Sequence, residues 1–248
     1  MTIVDNGIHL NAKLDLPDIR GGKCPLVIVI HGFTGHMEEP HITAVSAMLN
    51  EIGCATLRVD MYGHGHSEGS FRSHTLHKWV SNAVTAIEYA ESLDFVSDLY
   101  LCGHSQGGLT VMLAAAQKPD RIRGIIPMSP AVIIPDGARS GMLLGTAFDP
   151  DRIPSELRSE DGWILDGDYI RAAQAIRVED AICRYNGPVL LIHGTNDETI
   201  PAACSAEAQK AYANAELEMI PGDTHCYDVH LDMAVDAARQ WMLKQLKA

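Results

Sequence analysis

A serine flanked by glycines is the residue in this chain best suited to nucleophilic chemistry. Ser105 lies in the run Cys-Gly-His-Ser-Gln-Gly-Gly, directly after the apolar residues 99–101 and before a predicted helix. Gly103 and Gly107 would let a strand and a helix approach closely around a strained serine backbone. The hydroxyl would then project above a sheet edge, and the backbone N–H of Gln106 would face any oxyanion formed there. The alternative is an unreactive serine in a glycine-rich turn, which this strand–turn–helix context disfavours.

A serine hydroxyl needs a base, and the base needs a carboxylate that orients it. On a strand–turn–serine frame these partners follow in the order acid, then histidine, each on a loop after a later strand. Asp197 follows the predicted strand at 188–192, and His225 follows the last predicted strand, at 216–220. Glu198 and Asp223 are rivals for the acid. We favour Asp197 because Asp223 lies on the histidine's own loop.

A second oxyanion donor is expected on the loop after an earlier strand. The apolar run 26–30 predicts that strand, and His-Gly-Phe-Thr-Gly follows it. We therefore predict that the backbone N–H of Phe33 faces the same oxyanion as that of Gln106. The alternative is that the His-Gly pair only begins a tight turn.

The spacing of apolar residues predicts alternating strands and helices along most of the chain. The predicted strands are a region at 8–16 and the runs 26–30, 55–59, 99–102, 124–128, 188–192 and 216–220. The predicted helices cover 41–52, 75–93, 107–119 and 231–246. Because repeated strand–helix units form parallel sheets with helices on both faces, we predict an α/β fold with a mostly parallel, doubly wound sheet.

A long connection interrupts this alternation before the strand at 188–192. It spans roughly sixty residues, too many for an ordinary loop, and is rich in glycine and proline. We predict that 131–180 forms a small, largely irregular cap (a lid) over the active site, inserted between core segments 1–130 and 181–248. An aromatic acyl group could bind among its apolar side chains. Asp136, Trp163 and Tyr169 are the candidate substrate contacts, and the alternative for most apolar cap residues is that they only hold the cap on the core.

Several of these motifs resemble those of the α/β-hydrolase superfamily, and the resemblance covers nearly the whole chain. They are His-Gly-Phe-Thr-Gly at 31–35, Gly-His-Gly-His-Ser at 63–67, Gly-His-Ser-Gln-Gly at 103–107, and the acid and histidine loops. The first and third runs, with Ile-Arg-Val-Glu-Asp at 176–180 and Pro-Gly-Asp-Thr-His-Cys-Tyr at 221–227, more closely resemble bacterial cinnamoyl or feruloyl esterases. The resemblance implies hydrolysis of hydroxycinnamate esters through an acyl-serine intermediate, without a metal or organic cofactor. Short-chain esterases, monoacylglycerol-type lipases and peptidases share much of this frame, and a non-catalytic binding protein is a further alternative.

Composition and charge favour a small-molecule partner. The formal net charge is −13, which opposes binding to nucleic acid or to anionic membranes. No apolar run approaches the ~18 residues of a membrane helix, and the first residues lack the pattern of a secretory signal. Six cysteines without metal-type spacing are typical of reduced thiols, so a cytoplasmic location is expected. The oligomeric state stays open, with a homodimer as one alternative.

The chain has 12 histidines, which raises the alternative of a metal site. His64 and His66 flank a glycine, His104 adjoins Ser105, and His225 is already assigned as the base. Because no nearby carboxylate or thiolate completes a zinc-binding set, we predict no metal.

Overall fold

A computed structural model of the chain describes residues 1–18 and 22–247. The sheet that carries the site has eight strands. They are β1 (Thr2–Asp5), β2 (Ile8–Asp15), β3 (Cys24–Ile30), β4 (Ala55–Val59), β5 (Val96–His104), β6 (Ile122–Met128), and, after four short cap strands, β11 (Val189–Gly194) and β12 (Ala215–Ile220). Their spatial order is β1-β2-β4-β3-β5-β6-β11-β12.

Six neighbouring strands of this sheet, from β4 to β12, run parallel. The other two, β1 and β2, pair antiparallel with each other, and β2 pairs antiparallel with β4. The strand region predicted at 8–16 is observed as β2, and β1 precedes it as a strand that was not predicted. Asn6 and Gly7, both with positive φ, form the turn between them. The predicted mostly parallel α/β-hydrolase sheet is confirmed.

Eight helices accompany the strands in the described part of the chain. They are α1 (Pro40–Glu51), α2 (Leu76–Glu91), α3 (Gln106–Gln117), α4 (Ile134–Ser140), α5 (Gly167–Gln174), α6 (Val178–Arg184), α7 (Ala203–Ala211) and α8 (Leu231–Gln245). The hydroxyl of Thr75 accepts a hydrogen bond from the Lys78 N–H and so begins α2. None of the described helices combines the length and apolar character that crossing a membrane requires.

Alternate residues of the buried strands supply two separate hydrophobic cores. In β3, Ile28 and Ile30 face one core, which includes residues of α2 and α3. Val27 and Val29 face the other core, which includes residues of α1 and α8. Because both faces of the sheet are covered, the buried strands are continuous apolar runs in the sequence. The carboxyl ends of the parallel strands lie together at one edge of the sheet.

The segment predicted to be an irregular cap contains more regular structure than expected. Besides α4, α5 and the start of α6 it holds two short hairpins, β7 (Met142–Leu143) with β8 (Thr146–Ala147), and β9 (Glu156–Arg158) with β10 (Ile164–Asp166). Arg72, in a 3-10 turn of the core, forms ion pairs with Glu156 at 2.8 Å and Asp166 at 2.5 Å. These contacts fix the second hairpin against the core, while the division at 131–180 stays a prediction.

Candidate active site

Ser105 occupies the sharp turn between β5 and α3. Its backbone has φ 55° and ψ −117°, a strained conformation for a residue with a Cβ. The turn requires glycine on both sides. A Cβ on Gly103 would lie 2.3 Å from the Gly107 carbonyl oxygen, and one on Gly107 would lie 2.3 Å from the His31 carbonyl oxygen. The sequence therefore folds here as a tight elbow that presents the Ser105 side chain at the carboxyl edge of the sheet.

The backbone amides of Phe33 and Gln106 flank this serine. Gln106 is the first residue of α3, so its N–H has no partner within the helix and lies at the positive end of the helix dipole. Phe33 lies in the loop after β3, and its N–H donates to no acceptor among the described hydrogen bonds. Both amides are thus available to an oxyanion, which remains the role we propose for them.

His31 fixes the peptide that carries the Phe33 amide. Its Nδ1–H donates to the Gly32 carbonyl at 2.8 Å, and its Nε2 accepts from the Met61 N–H at 3.0 Å. Burial, with a smaller contribution from His64, lowers the pKa of His31 to about 3, so this imidazole stays neutral. Because the Gly32 carbonyl and the Phe33 N–H belong to one peptide group, this hydrogen bond sets the direction of the amide.

His225 and Asp197 form the closest acid–base pair of the site. The Nδ1 of His225 lies 2.6 Å from Asp197 Oδ2, and the Asp197 side chain is fully buried. Burial disfavours the charged carboxylate, but hydrogen bonds from His193, His225 and the Ile200 N–H outweigh it and hold the pKa of Asp197 below its usual range. An ionised Asp197 keeps the Nδ1 proton on His225 and leaves Nε2 free to act as a base.

The rival acids occupy other positions. Asp223 is buried and accepts hydrogen bonds from the N–H groups of Thr224, Val229 and His230, so it shapes its own loop. Glu198 is exposed and lies on the cavity wall. The structure thus brings Asp197, rather than either rival, to the imidazole of His225.

Ser105 and His225 line the same cavity, whose volume is about 1290 Å³. The hydrogen bonds of the described residues do not include one between the Ser105 hydroxyl and His225. A catalytic hydrogen bond of this kind commonly forms only when substrate is bound. Gly32 and Phe33 also line this cavity, so Ser105, His225 and Phe33 surround one space.

Two of the three predicted substrate contacts reach this cavity. Asp136 and Trp163 both line it, and Asp136 forms an ion pair with Arg139 at 2.5 Å. The Trp163 ring packs edge-on against Phe33, with 5.5 Å between ring centroids. These positions suit contacts with an aromatic acyl group.

Tyr169, the third predicted contact, lies elsewhere and corrects our expectation. It lies in α5 of the segment predicted to be the cap, is fully buried, and is not among the residues that line the cavity. Its hydroxyl donates to Gln106 Oε1 at 2.6 Å instead of being free for a substrate hydroxyl. The pattern of apolar cap residues could not reveal this partner, because Gln106 lies 63 residues away in the sequence.

Sequence reasoning missed two histidines that support the site. His104 Nε2–H donates to the His225 carbonyl at 2.8 Å, so the residue before Ser105 holds the backbone of His225. His193 lies on β11, fully buried, with its Nε2 3.0 Å from Asp197 Oδ2. The sequence signal that could have indicated a role for His193 is its position as a single polar residue at the end of an otherwise apolar strand.

The histidines considered as metal ligands have other partners. The Nε2 of His64 contacts the Phe33 carbonyl oxygen, and its Nδ1 lies 3.0 Å from the Tyr62 carbonyl oxygen. Among the described residues, no group of three or more His, Cys, Asp or Glu side chains is arranged to hold a metal ion.

The parallel sheet, the strained serine elbow and the acid–histidine pair at the same edge define an α/β hydrolase. Residues 22–155 match the family described as "Serine aminopeptidase, S33", and the chain belongs to this family of α/β hydrolases. The fold is very similar to that of Est1E from Butyrivibrio proteoclasticus in a structure with ferulic acid bound. The two chains are 55% identical, each covers all of the other, and the TM-score is 0.98.

More distant relatives share the fold. The palmitoyl-protein thioesterase ABHD10, mitochondrial, from Bos taurus is 25% identical over 86% of this chain and 71% of its own length. The solved structure of mouse alpha/beta hydrolase domain-containing protein 10 has a TM-score of 0.76 at 17% identity and covers 98% of both chains. At this identity the likeness to the mouse structure concerns the fold alone.

Proposed function

We propose that this protein is a serine carboxylic-ester hydrolase that cleaves hydroxycinnamate esters, such as feruloyl and cinnamoyl esters. The observation that carries the substrate class is the whole-chain similarity to Est1E at 55% identity, in a structure that holds ferulic acid. The serine elbow, the Asp197–His225 pair and the two free amides support the chemistry. The peptidase named in the family description is less favoured, because that match covers only residues 22–155.

In the acylation half of the reaction, Ser105 Oγ attacks the ester carbonyl while His225 Nε2 takes the hydroxyl proton. Asp197 keeps the other ring proton of His225 in place and stabilises the imidazolium that forms. The Phe33 and Gln106 amides donate to the oxyanion of the tetrahedral intermediate. The C–O bond to the alcohol then breaks, and His225 gives its proton to the departing alcohol. The product of this half is a feruloyl-Ser105 ester.

In the deacylation half, a water molecule attacks the acyl carbonyl and His225 Nε2 takes its proton. The second tetrahedral intermediate uses the same two amides. The bond to Ser105 Oγ breaks, the serine recovers its proton from His225, and the hydroxycinnamic acid leaves. Every proton is carried by His225, so these steps need no metal or organic cofactor.

The acyl group is assigned to the aromatic and aliphatic wall of the cavity next to Phe33. Trp163, Ile133, Leu143 and Leu144 line this part of the cavity. A planar cinnamoyl group can bury its ring against such side chains, and Asp136 could accept a hydrogen bond from a ring hydroxyl. In this proposal the segment 131–180 acts as the cap that supplies most of the acyl pocket.

The net charge and the cysteines support a small-molecule partner and a reducing compartment. The net charge of −13 disfavours nucleic acid as a partner. All six cysteines are free thiols, and Cys24, Cys54 and Cys102 are buried. Free thiols are typical of cytoplasmic proteins, and we propose that location.

A panel of substrates tests the proposed function. Purified protein is assayed with methyl ferulate, methyl cinnamate, a butyrate ester, a palmitoyl thioester and an aminoacyl amide. We expect the highest kcat/KM for the two hydroxycinnamate-type esters. A higher kcat/KM for the amide or the thioester would contradict the proposal, and the same panel with Ser105→Ala controls for contaminating hydrolases.

A further inference from the structure

Asp197 has a second histidine partner besides His225. His193 Nε2 lies 3.0 Å from Asp197 Oδ2 and 3.0 Å from the Ile200 carbonyl oxygen. Its Nδ1 lies 2.7 Å from the hydroxyl of Ser205, which is buried in α7. The imidazole is thus held between a helix on one side and the carboxylate on the other.

The partners of His193 determine what it donates. Its Nε2 faces only acceptor oxygens, so it must carry a hydrogen and donate it. Among the residues that the structure describes, Ser205 is the one partner of Nδ1, and its hydroxyl can donate to that nitrogen in the neutral ring. Ser205 therefore holds His193 in the form that donates to Asp197.

This donation completes the hydrogen bonding of a buried carboxylate. Oδ1 of Asp197 accepts from the Thr199 N–H at 2.9 Å and the Ile200 N–H at 2.7 Å. Oδ2 accepts from His225 and His193. A carboxylate offers about four acceptor sites, so all are used. Without His193, one lone pair of Oδ2 loses its donor, and the carboxylate's negative charge acts more strongly on His225.

We propose that His193 is a positioning residue for the site: it holds Asp197 in the orientation that His225 requires and moderates the basicity of His225 through the shared carboxylate oxygen. The kinetic part of this inference rests on the proposed esterase function. His193 is fully buried and does not line the cavity, so it would act through Asp197.

The other ionisable groups around His225 do not provide the same control. The His104 ring lies 4.8 Å from that of His225, and burial holds its pKa well below the usual value. Burial, with a smaller contribution from His225, lowers the pKa of His41 to about 4. Glu39 lies on the cavity wall near His225, and burial raises its pKa. Above pH 6, His104 and His41 are therefore neutral. The carboxylates that face His225 are then those of Asp197 and Glu39. Cys226 is the next residue in the chain, and Asp228 faces His41.

Two substitutions distinguish the effect of the hydrogen-bond donor of His193 from the effect of the volume of its ring. His193→Phe fills the space but removes the hydrogen-bond donor. His193→Gln places an amide N–H near the position of Nε2. We expect His193→Phe to lower kcat for methyl ferulate by about 10- to 100-fold with little change in KM. The acidic limb of the kcat/KM profile should move to higher pH by about one unit, since His225 becomes more basic. His193→Gln should keep both kcat and the position of the acidic limb close to their wild-type values.

Tyr185→Phe is the matched control for a lost buried hydrogen bond. The Tyr185 hydroxyl is buried and donates to the Ile122 carbonyl at 3.1 Å, at the opposite end of β6 from Ser105. This variant should lose stability while keeping the wild-type acidic limb. If His193→Phe shows the same pattern, or if His193→Gln is as impaired as His193→Phe, the proposal is overturned.

Two further measurements keep the test decisive. If His193→Phe does not fold, Ser205→Ala should still move the acidic limb upward by a smaller amount, and a wild-type limb would overturn the proposal. If the wild-type protein hydrolyses no hydroxycinnamate ester, the proposed function fails independently of His193. An NMR titration of the ¹⁵N-labelled His225 imidazole then measures the coupling without turnover. The supporting result is a midpoint raised in His193→Phe, raised by a smaller amount in Ser205→Ala, and close to the wild-type value in His193→Gln. An unchanged midpoint in every variant would overturn the inference.

Discussion

The hydroxyl of Tyr169 and the side-chain oxygen of Gln106 lie 2.6 Å apart, both fully buried. Tyr169 belongs to α5 of the cap segment, and Gln106 begins the helix that follows Ser105. One hydrogen bond therefore connects the cap to the residue whose backbone amide we assign to the oxyanion. This bond holds the segment predicted to be the cap against the helix that begins beside Ser105.

Replacing Tyr169 by Phe should therefore impair all substrates alike. The variant removes the hydroxyl that anchors Gln106 and leaves a buried amide oxygen without its donor, so we expect a loss of about 5- to 20-fold in kcat. The measurement is kcat on methyl ferulate and on methyl cinnamate, which lacks the ring hydroxyl. A loss confined to methyl ferulate would indicate that Tyr169 reaches the substrate's hydroxyl and would contradict this account.

Two aspartate variants distinguish the acid from its neighbour. Asp197→Asn should lower kcat by about 10³- to 10⁴-fold, because the amide cannot hold the required tautomer of His225 or stabilise its charge. Asp223→Asn should mainly lower the free energy of unfolding, since Asp223 accepts only backbone N–H groups of its own loop.

The comparison uses kcat and urea unfolding for both variants at one pH. A larger loss of kcat in Asp223→Asn than in Asp197→Asn would reassign the acid.

Stability should fall as the pH drops below about 6.5, because several buried histidines resist protonation in the folded protein. Burial lowers the pKa of His31 and His74 to about 3 and that of His41 to about 4. The unfolded chain takes up these protons near pH 6.5 and the folded protein does not, so acid favours unfolding. The stabilisation is complete above pH 6.5 and is lost as the pH falls towards the folded values.

Each such histidine contributes a slope of about 1.4 kcal/mol per pH unit in the interval where only the unfolded chain binds its proton. Urea unfolding at pH 7, 6 and 5 measures the total slope. His74→Gln should reduce the slope by about one histidine's share. An unfolding free energy that is constant between pH 7 and 5 would show that these histidines are not held neutral.

Much of the fold could be predicted because its core strands are apolar on both faces. The strand at 55–59 was predicted at its observed bounds, Ala55–Val59. The helix predicted at 75–93 is observed as Leu76–Glu91, since Thr75 caps it from outside and the last turn ends at Ser92. The elbow at Ser105 could be recognised because only glycine tolerates the close contacts on either side of it.

The cap and the supporting histidines could not be predicted for a physical reason. The strands of the two cap hairpins are two or three residues long, too short to show an alternating pattern. Helix α7 was missed because most of its side chains are not buried and it therefore lacks an apolar stripe. The partners of His193 and Tyr169 depend on tertiary contacts that local sequence does not encode. The roles of Ser105, Asp197 and His225 in catalysis stay predictions.

The central claim is that a hydroxycinnamoyl group is transferred to Ser105, and rapid-quench mass spectrometry tests it most directly. Protein mixed with a feruloyl ester is quenched in acid within the first turnovers and digested, and the modified peptide is identified. We predict one feruloyl group on the peptide containing Ser105, and a kcat reduced by about 10⁴- to 10⁶-fold in Ser105→Ala. A feruloyl group on another residue, or near-normal turnover in Ser105→Ala, would contradict the account.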